Sequence, residues 1–204
     1  PILINNYVST TGATIYTVSG GYENNIIGIG RDDNEALIQK QSHTLEDTVR
    51  IYLSTLAASN AANSGTFTNN NSYVVMGGDQ GKMYSTLAYN TEIPTGFGIY
   101  SRLEREWKVT KTNITQDFNC DIKLNSGASP TMINTAHLRL LVDDDGDFAN
   151  GGTTSYFNGD AFCTVISHSN PIITVSGTST SHIANNSTRY ITIASIDAET
   201  PLTI

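Results

Sequence analysis

The chain has 204 residues, of which 15% are charged, and a formal net charge of -8. This acidic balance excludes binding to nucleic acid, because no Lys or Arg cluster is present to release counterions from a phosphate backbone. No apolar run reaches the roughly 20 residues that cross a bilayer, so we expect no membrane insertion. The length suits one domain over residues 1–204. Its first residue is Pro1 and no signal peptide is evident, which indicates a processed form or a module of a longer protein.

Short runs of β-branched and aromatic residues, separated by clusters of Gly, Asn, Ser and Asp, recur along the chain and predict an all-β fold. We expect an antiparallel β-sandwich or jelly roll with one or two short helices. The predicted strands are Ile2–Val8, Thr14–Val18, Ile26–Ile29, Thr48–Leu53, Ser72–Met76, Arg105–Thr110, Phe118–Leu124, Leu138–Val142, Phe162–Ser167, Ile172–Val175 and Tyr190–Ala194.

Two segments are candidates for the short helices. Asp33–Ser42 is the better one, with Asn34 as its N-cap. Leu56–Asn63 is rich in Ala and Asn and is a candidate for another helical turn. In both cases the expected helix is short.

Arg31, Asp32 and Asp33 follow two glycines, Gly28 and Gly30. The full spacing of a dinucleotide-binding glycine loop is missing, and aspartates at a helix start would repel a phosphate. We therefore expect Arg31 to pair with one aspartate while the other caps the following helix.

Strand Arg105–Thr110 places Trp107 and Val109 on one face, which predicts that Trp107 lies in the core. Basic and acidic residues alternate around this strand and predict an exposed outer face with surface ion pairs. These residues are Arg102, Glu104, Arg105, Glu106, Lys108 and Lys111.

The two cysteines fit neither a zinc site nor a redox pair. Cys120 lies on the apolar face of the strand Phe118–Leu124, and Cys163 lies in another strand-like run. Both are expected to be buried and near each other. Two alternatives stay open, a disulfide in an oxidising compartment or two free thiols.

Four carboxylates surround one glycine where the apolar run Leu140–Val142 ends. Carboxylates packed so closely repel one another, and hard oxygen ligands for Ca²⁺ are a common reason to keep them together. The predicted metal ligands are Asp143, Asp145 and Asp147, with Asp160 or the Asp32–Asp33 pair as a distant contributor. The spacing is not that of an EF-hand. An exposed acidic turn without metal is the alternative interpretation.

Catalytic patterns are hard to find in this chain, and we expect no enzyme. It has no nucleophile elbow and no zinc-protease helix. Glu104 and Glu106 lie on one side of a strand, as glycosidase acids sometimes do, but the neighbouring basic residues favour ion pairing. The four histidines are scattered, at His43, His137, His168 and His182.

Several patches, taken in order, resemble a module of large secreted surface proteins of Bacteroidota that also carry lectin-like, adhesin-type and type IX secretion sorting domains. The patches are Asn6–Ser9 with Ile15 and Tyr16, Asn24–Asp33, Leu37–Ser42, Ala57–Asn63, Arg105–Val109, Leu141–Phe148 and Tyr190–Ser195. The resemblance implies a secreted, non-catalytic β-sandwich that builds or displays surface structures. The chain departs from the pattern at Thr203, where relatives tend to have Pro.

These observations predict an extracellular structural or adhesive module of a bacterial cell-surface protein or filament, stabilised by calcium. The apolar ends, Pro1–Ile4 and Pro201–Ile204, suggest pairing along sheet edges, and hence self-association or contact with neighbouring modules. The alternative function is a carbohydrate-binding module, in which tyrosines stack on sugar rings of a glycan partner. The tyrosines considered are Tyr84, Tyr89, Tyr100 and Tyr156.

Overall fold

The computed structural model describes residues 6–83, 91–124, 134–159, 165–169, 171–179 and 181–197. This part of the chain is all-β, as predicted, and its helical pieces are two short 3₁₀ turns, Asp33–Glu35 and Thr135–His137. Its strands are β1 (Tyr7–Val8), β2 (Thr14–Tyr16), β3 (Asn24–Asp32), β4 (Leu37–Gln39), β5 (Gln41–His43), β6 (Val49–Tyr52), β7 (Ser72–Gly78), β8 (Ser101–Arg102), β9 (Trp107–Thr112), β10 (Phe118–Lys123), β11 (Leu138–Asp143), β12 (Thr154–Tyr156), β13 (Val165–Ser169), β14 (Ile172–Thr178) and β15 (Ser187–Ser195).

The strands form two main antiparallel sheets that pack into a sandwich-like arrangement. The larger sheet has the order β12-β11-β15-β9-β7-β3-β4, and β8 also pairs with β15. The smaller sheet has the order β13-β14-β10-β6-β5. Strand β15 lies between β11 and β9, so the larger sheet joins segments that are distant in sequence.

The main core lies between the two sheets and follows the period-two pattern of the strands. Trp107 and Val109 of β9 are buried in it, together with Cys120 and Ile122 of β10. The predicted positions of Trp107 and Cys120 are therefore confirmed. Cys120 is a free thiol, and burial raises its pKa above the usual value. Cys163 lies outside the described residues, so its relation to Cys120 stays a prediction.

Other parts of the chain cover much of the outer face of the larger sheet. The hairpin β1–β2 brings Tyr16 against Tyr73 and Val75. Further along the same sheet, Phe148, from the loop after β11, packs with Leu141 and Ala194. The central strand β7 is consequently buried on both faces, and most of β9 is buried too, although the sequence of β9 alternates between apolar and polar residues.

The predicted helix over Asp33–Ser42 is wrong. The 3₁₀ turn stops at Ala36, which adopts a left-handed backbone with φ of 51°, and β4 and β5 follow at once. Strand β4 pairs with the end of β3, a tertiary contact that overrides the weak local preference for helix. The segment Leu56–Asn63 has bends and turns instead of a helical turn.

The pairing predicted for Arg31 and the two aspartates is confirmed, although Asn34 is not the cap. The Arg31 guanidinium donates to both carboxylate oxygens of Asp33, at 2.7 and 2.8 Å. The Asp32 carboxylate accepts a hydrogen bond from the Asn34 N–H at 3.1 Å and so caps the 3₁₀ turn. Asp32 and Asp33 thus have structural roles within the described residues.

Candidate functional site

The acidic loop, residues 143–148, begins where β11 ends. Asp143 is fully buried, and its Oδ1 accepts hydrogen bonds from the N–H groups of Asp145 at 2.9 Å and Gly146 at 2.7 Å. Its Oδ2 accepts a hydrogen bond from the Thr153 hydroxyl at 2.7 Å. Asp143 therefore binds both the first and the last residues of the loop that connects β11 to β12.

The next carboxylates repeat the same local contact. Asp145 Oδ1 accepts from the Asp147 N–H, and Asp147 Oδ1 accepts from the Ala149 N–H, both at 3.0 Å. Asn150 donates to the second oxygen of Asp145. These donors, the Asp147 N–H first, hold the pKa of Asp145 below its usual value. Alternate aspartates are thus held by successive side-chain turns.

The donor chemistry of the acidic loop is compatible with Ca²⁺, since the carboxylate oxygens of Asp145 and Asp147 and Oδ2 of Asp143 each keep a lone pair, although Asp143 Oδ1 already accepts two hydrogen bonds. However, the described residues contain no group of three or more His, Cys, Asp or Glu side chains arranged to hold a metal ion. Asp160, the predicted fourth ligand, lies outside the described residues. Calcium binding therefore stays a prediction, and the loop would have to close further around a cation.

Gly146 places the acidic loop against two tyrosines. Its φ is +95°, and a Cβ built on it would lie 3.1 Å from the Tyr190 ring and from the Tyr22 hydroxyl. The rings of Tyr22 and Tyr190 are 5.0 Å apart. The backbone conformation therefore favours glycine at this position, and any side chain would also crowd the two tyrosines.

Tyr22 connects the acidic loop to a buried ionic network. Its hydroxyl donates to Glu106 at 2.7 Å, and the Arg102 guanidinium forms an ion pair with the other Glu106 oxygen, at 2.8 Å. Arg102 is fully buried, also pairs with Glu92, and lies 5.1 Å from the centre of the Phe148 ring. Burial raises the pKa of Glu106 to about 7, against the opposing effects of Tyr22 and Arg102.

The predicted exposed face around β9 is wrong. Arg102, Glu106, Lys108 and Lys111 are all buried. Covering chain segments bury Arg102, Glu106 and Lys108 on the outer face of the larger sheet, whereas Lys111 lies on the inward face of β9. Tyr22 and Glu92, which are distant in sequence, were missed because no local pattern relates them to this strand.

The two lysines of β9 are buried in different ways. Lys108 faces outward and donates to the Thr17 carbonyl at 2.6 Å, with its Nζ 4.8 Å from the centre of the Tyr16 ring. Lys111 shares the inward face with Trp107, and its Nζ has no hydrogen-bond partner among the described residues. Burial lowers the pKa of Lys111 to about 8.

A polar cleft of about 710 Å³ lies beside the short strands β4 and β5. Strand β4 is one edge of the larger sheet, and β12, which follows the acidic loop, is the opposite edge. Its lining combines amides, a histidine and a charged pair, and residues 56–60 form one wall. Six of its polar lining residues are Gln39, Gln41, His43, Asp47, Arg50 and Asn60.

Of the tyrosines proposed for sugar stacking, the two that the structure describes, Tyr100 and Tyr156, do not line the polar cleft. Tyr100 is 44% exposed, and Tyr156 packs against His182 with ring centres 4.5 Å apart. Tyr84 and Tyr89 lie outside the described residues. Whether the four tyrosines lie together therefore stays untested, and the sugar-stacking role stays a prediction.

Comparison with known proteins identifies one family. Residues 2–191 match DUF8202, a domain of unknown function. No curated protein and no solved structure matches the chain. In the described residues, no helix is both long and apolar enough to cross a membrane. Because the match covers nearly the whole chain, this protein belongs to the DUF8202 family.

Proposed function

We propose that this DUF8202 chain is a non-catalytic structural or adhesive module of an extracellular bacterial surface protein or filament. The observation that carries the proposal is the use of buried charges to hold loops against the larger sheet. Arg102 joins Glu92 to Glu106, and Lys108 binds the backbone after β2. In these contacts the charged groups hold chain segments rigidly in place, which a load-carrying module requires.

The extracellular, cell-surface location is supported by the resemblance to secreted Bacteroidota modules and by the composition. Few residues are charged, and polar uncharged residues fill the turns. A surface structure needs many units, so the expected partners are neighbouring modules of the same protein or further copies of this chain. The apolar segments Pro1–Ile4 and Pro201–Ile204, outside the described residues, are the proposed contacts.

Sedimentation velocity at increasing concentration tests this assembly. We expect species larger than the 22.0 kDa chain, growing with concentration, because apolar strand segments add to open sheet edges. Deletion of residues 201–204 should reduce the association, whereas Thr203→Ser should not. A monomer at every concentration, with the same stability after the deletion, would refute the assembly.

Calcium is part of the same proposal. Asp143, Asp145 and Asp147 supply hard oxygen ligands on one short loop, and Asp160 is the proposed additional ligand. A cation would offset the repulsion of these carboxylates and fix the loop that packs on Tyr22 and Tyr190. The module would then be stiffest in a calcium-containing environment.

A carbohydrate-binding module is the second candidate function. The polar cleft favours it, since its volume of about 710 Å³ falls in the range of small-ligand sites and its lining is rich in hydrogen-bonding groups. In this alternative the glycan would occupy the cleft, and Tyr100 and Tyr156, which do not line it, would have no part in binding the glycan.

A further inference from the structure

We propose that the polar cleft binds a neutral oligosaccharide. The inference rests on the carbohydrate-binding alternative and gives that function a site and a ligand class. It does not depend on calcium or on self-association.

The floor of the polar cleft is formed by the outer faces of β5 and β6. In their antiparallel register Gln41 pairs with Tyr52 and His43 pairs with Arg50, so these four side chains project from the same face of the smaller sheet. Residues 56–60 form one wall. Gln41 holds that wall in place, because its side-chain amide bonds both the N–H and the carbonyl of Ala57. The cleft is thus built on two paired strands and a tethered loop.

Two groups on this floor can bind a hydroxyl. His43 Nδ1 lies 2.8 Å from the Thr44 carbonyl, which can only accept, so Nδ1 carries the hydrogen and Nε2 of the neutral ring is an acceptor. Arg50 Nη1 lies 3.9 Å from Asp121 Oδ2, too far for a direct hydrogen bond, and keeps donor capacity. A sugar hydroxyl both donates and accepts. One hydroxyl can therefore donate to His43 Nε2 while a neighbouring hydroxyl accepts from Arg50 Nη1.

The charges of the cleft select against anionic ligands. Asp47 and Arg50 are the charged pair of the described lining, and the Arg50 guanidinium donates to both carboxylate oxygens of Asp47. A phosphate, sulfate or uronate group would therefore meet a guanidinium that is already paired and a carboxylate beside it. The described lining residues include no Trp, Tyr or Phe. Without ring stacking, affinity must come from hydrogen bonds and will be weak for a single site.

Affinity gel electrophoresis suits weak binding, because a polymer presents many copies of its repeat. The probes are the neutral polysaccharides β-glucan, α-mannan, galactan and starch, with polygalacturonate as the anionic comparison. The wild-type chain should be retarded by at least one neutral polymer and not by polygalacturonate. His43→Ala should weaken the retardation constant roughly fivefold, as loss of one neutral hydrogen bond predicts.

Two leucine substitutions test whether the polymer binds in the cleft itself or at another part of the same loop. Ala58 lines the cleft and Ala61 does not, and both are exposed, so Ala58→Leu should abolish retardation while Ala61→Leu retains it. Retardation by polygalacturonate alone would overturn the ligand class. Equal retardation of both leucine variants would overturn the site while leaving carbohydrate binding elsewhere intact. No retardation by any neutral polymer would overturn both the site and the carbohydrate-binding function.

Discussion

Lys111 shows how much a single position depends on its surroundings. It lies on the inward face of β9, with its Nζ 5.9 Å from the centre of the Phe118 ring. A charged amine in an apolar interior loses its hydration, and no acceptor replaces the water in the described part of the chain. Lys111 therefore lowers the stability of the fold at neutral pH.

Replacing Lys111 by Met should raise the free energy of unfolding by roughly 1–2 kcal/mol at pH 7, after allowance for water screening. The pKa falls from 10.5 in the unfolded chain to about 8 in the fold. The cost of the lysine is therefore complete below pH 8 and shrinks as pH rises from 8 to 10.5. Urea unfolding at pH 7 and pH 9.5 measures both effects.

Lys123→Met is the matched control, since Lys123 is only half-buried on β10. We expect its free energy of unfolding to stay within about 0.5 kcal/mol of wild type at either pH. If Lys111→Met is less stable than wild type at pH 7, the Phe118 ring and the charge of Asp117 stabilise the lysine by more than its burial costs, and the destabilising role assigned to Lys111 is refuted.

Arg102 is the opposite case, a buried charge with two carboxylate partners. Arg102→Met should cost about 3–5 kcal/mol of unfolding free energy at pH 8, because it leaves the buried Glu106 carboxylate without its cation. Since the pKa of Glu106 is already raised to about 7, protonation relieves this penalty, and the cost should fall as pH is lowered to 5. Chemical unfolding across this range gives the profile.

Two further variants check this interpretation. Arg102→Met combined with Glu106→Gln should recover part of the lost stability, because the uncompensated carboxylate is gone. Arg189→Met removes a half-exposed partner of Asp144 and should cost less than about 1 kcal/mol. A cost of Arg102→Met that is the same at pH 5 and pH 8 would contradict the role assigned to Glu106.

At the scale of elements, residues 54–63 cap the edge of the larger sheet at β4. Asn60 accepts a hydrogen bond from the Lys40 N–H and donates to the Ile38 carbonyl, both at 2.6 Å, beside β4. Asn63 is almost fully buried and donates to the Leu53 and Thr55 carbonyls. Side-chain amides here take the place of a neighbouring strand, a way of blocking edge-to-edge association.

Asn60→Ala should expose the unpaired backbone groups of β4. We expect a loss of roughly 1–3 kcal/mol in unfolding free energy and faster aggregation on warming, followed by light scattering. Asn34→Ala is the control, because Asn34 makes an exposed side-chain hydrogen bond to Thr10 and caps no strand edge. Equal aggregation of the two variants would show that the amide of Asn60 does not protect the edge.

At the scale of the whole molecule, the acidic loop and the buried network form one continuous set of contacts. Saturating Ca²⁺ should raise the melting temperature of chelated protein by about 5–10 °C, since an ion that binds only the folded state stabilises it by mass action. Asp145→Ala should abolish this calcium-dependent shift. Scanning calorimetry with and without Ca²⁺ measures it.

Asp144→Ala is the control for the calcium experiment, because Asp144 pairs with Arg189 and is not among the proposed ligands. It should keep the calcium-dependent shift. No heat on titrating Ca²⁺ into the chelated wild-type chain, together with an unchanged melting curve, would leave the acidic loop as a metal-free turn held by its own hydrogen bonds.

The sequence by itself determined the fold class and most of the strands. Strand alternation is a local property, since successive side chains point to opposite faces, so the pattern was enough to place Trp107 and Cys120 in the core. Adjacent charges were also informative, as the contact of Arg31 with Asp33 shows. The acidic loop was recognisable because its carboxylates are consecutive along the chain.

Only the tertiary structure decided which polar faces are buried. The hairpin β1–β2, Tyr22 and Phe148 come from separate segments, and together they turn the outer face of the larger sheet into an interior. Strand pairing likewise decided that residues 37–43 extend instead of forming a helix. Burial and pairing depend on residues far apart in sequence, and a local pattern carries no information about which distant segment covers it.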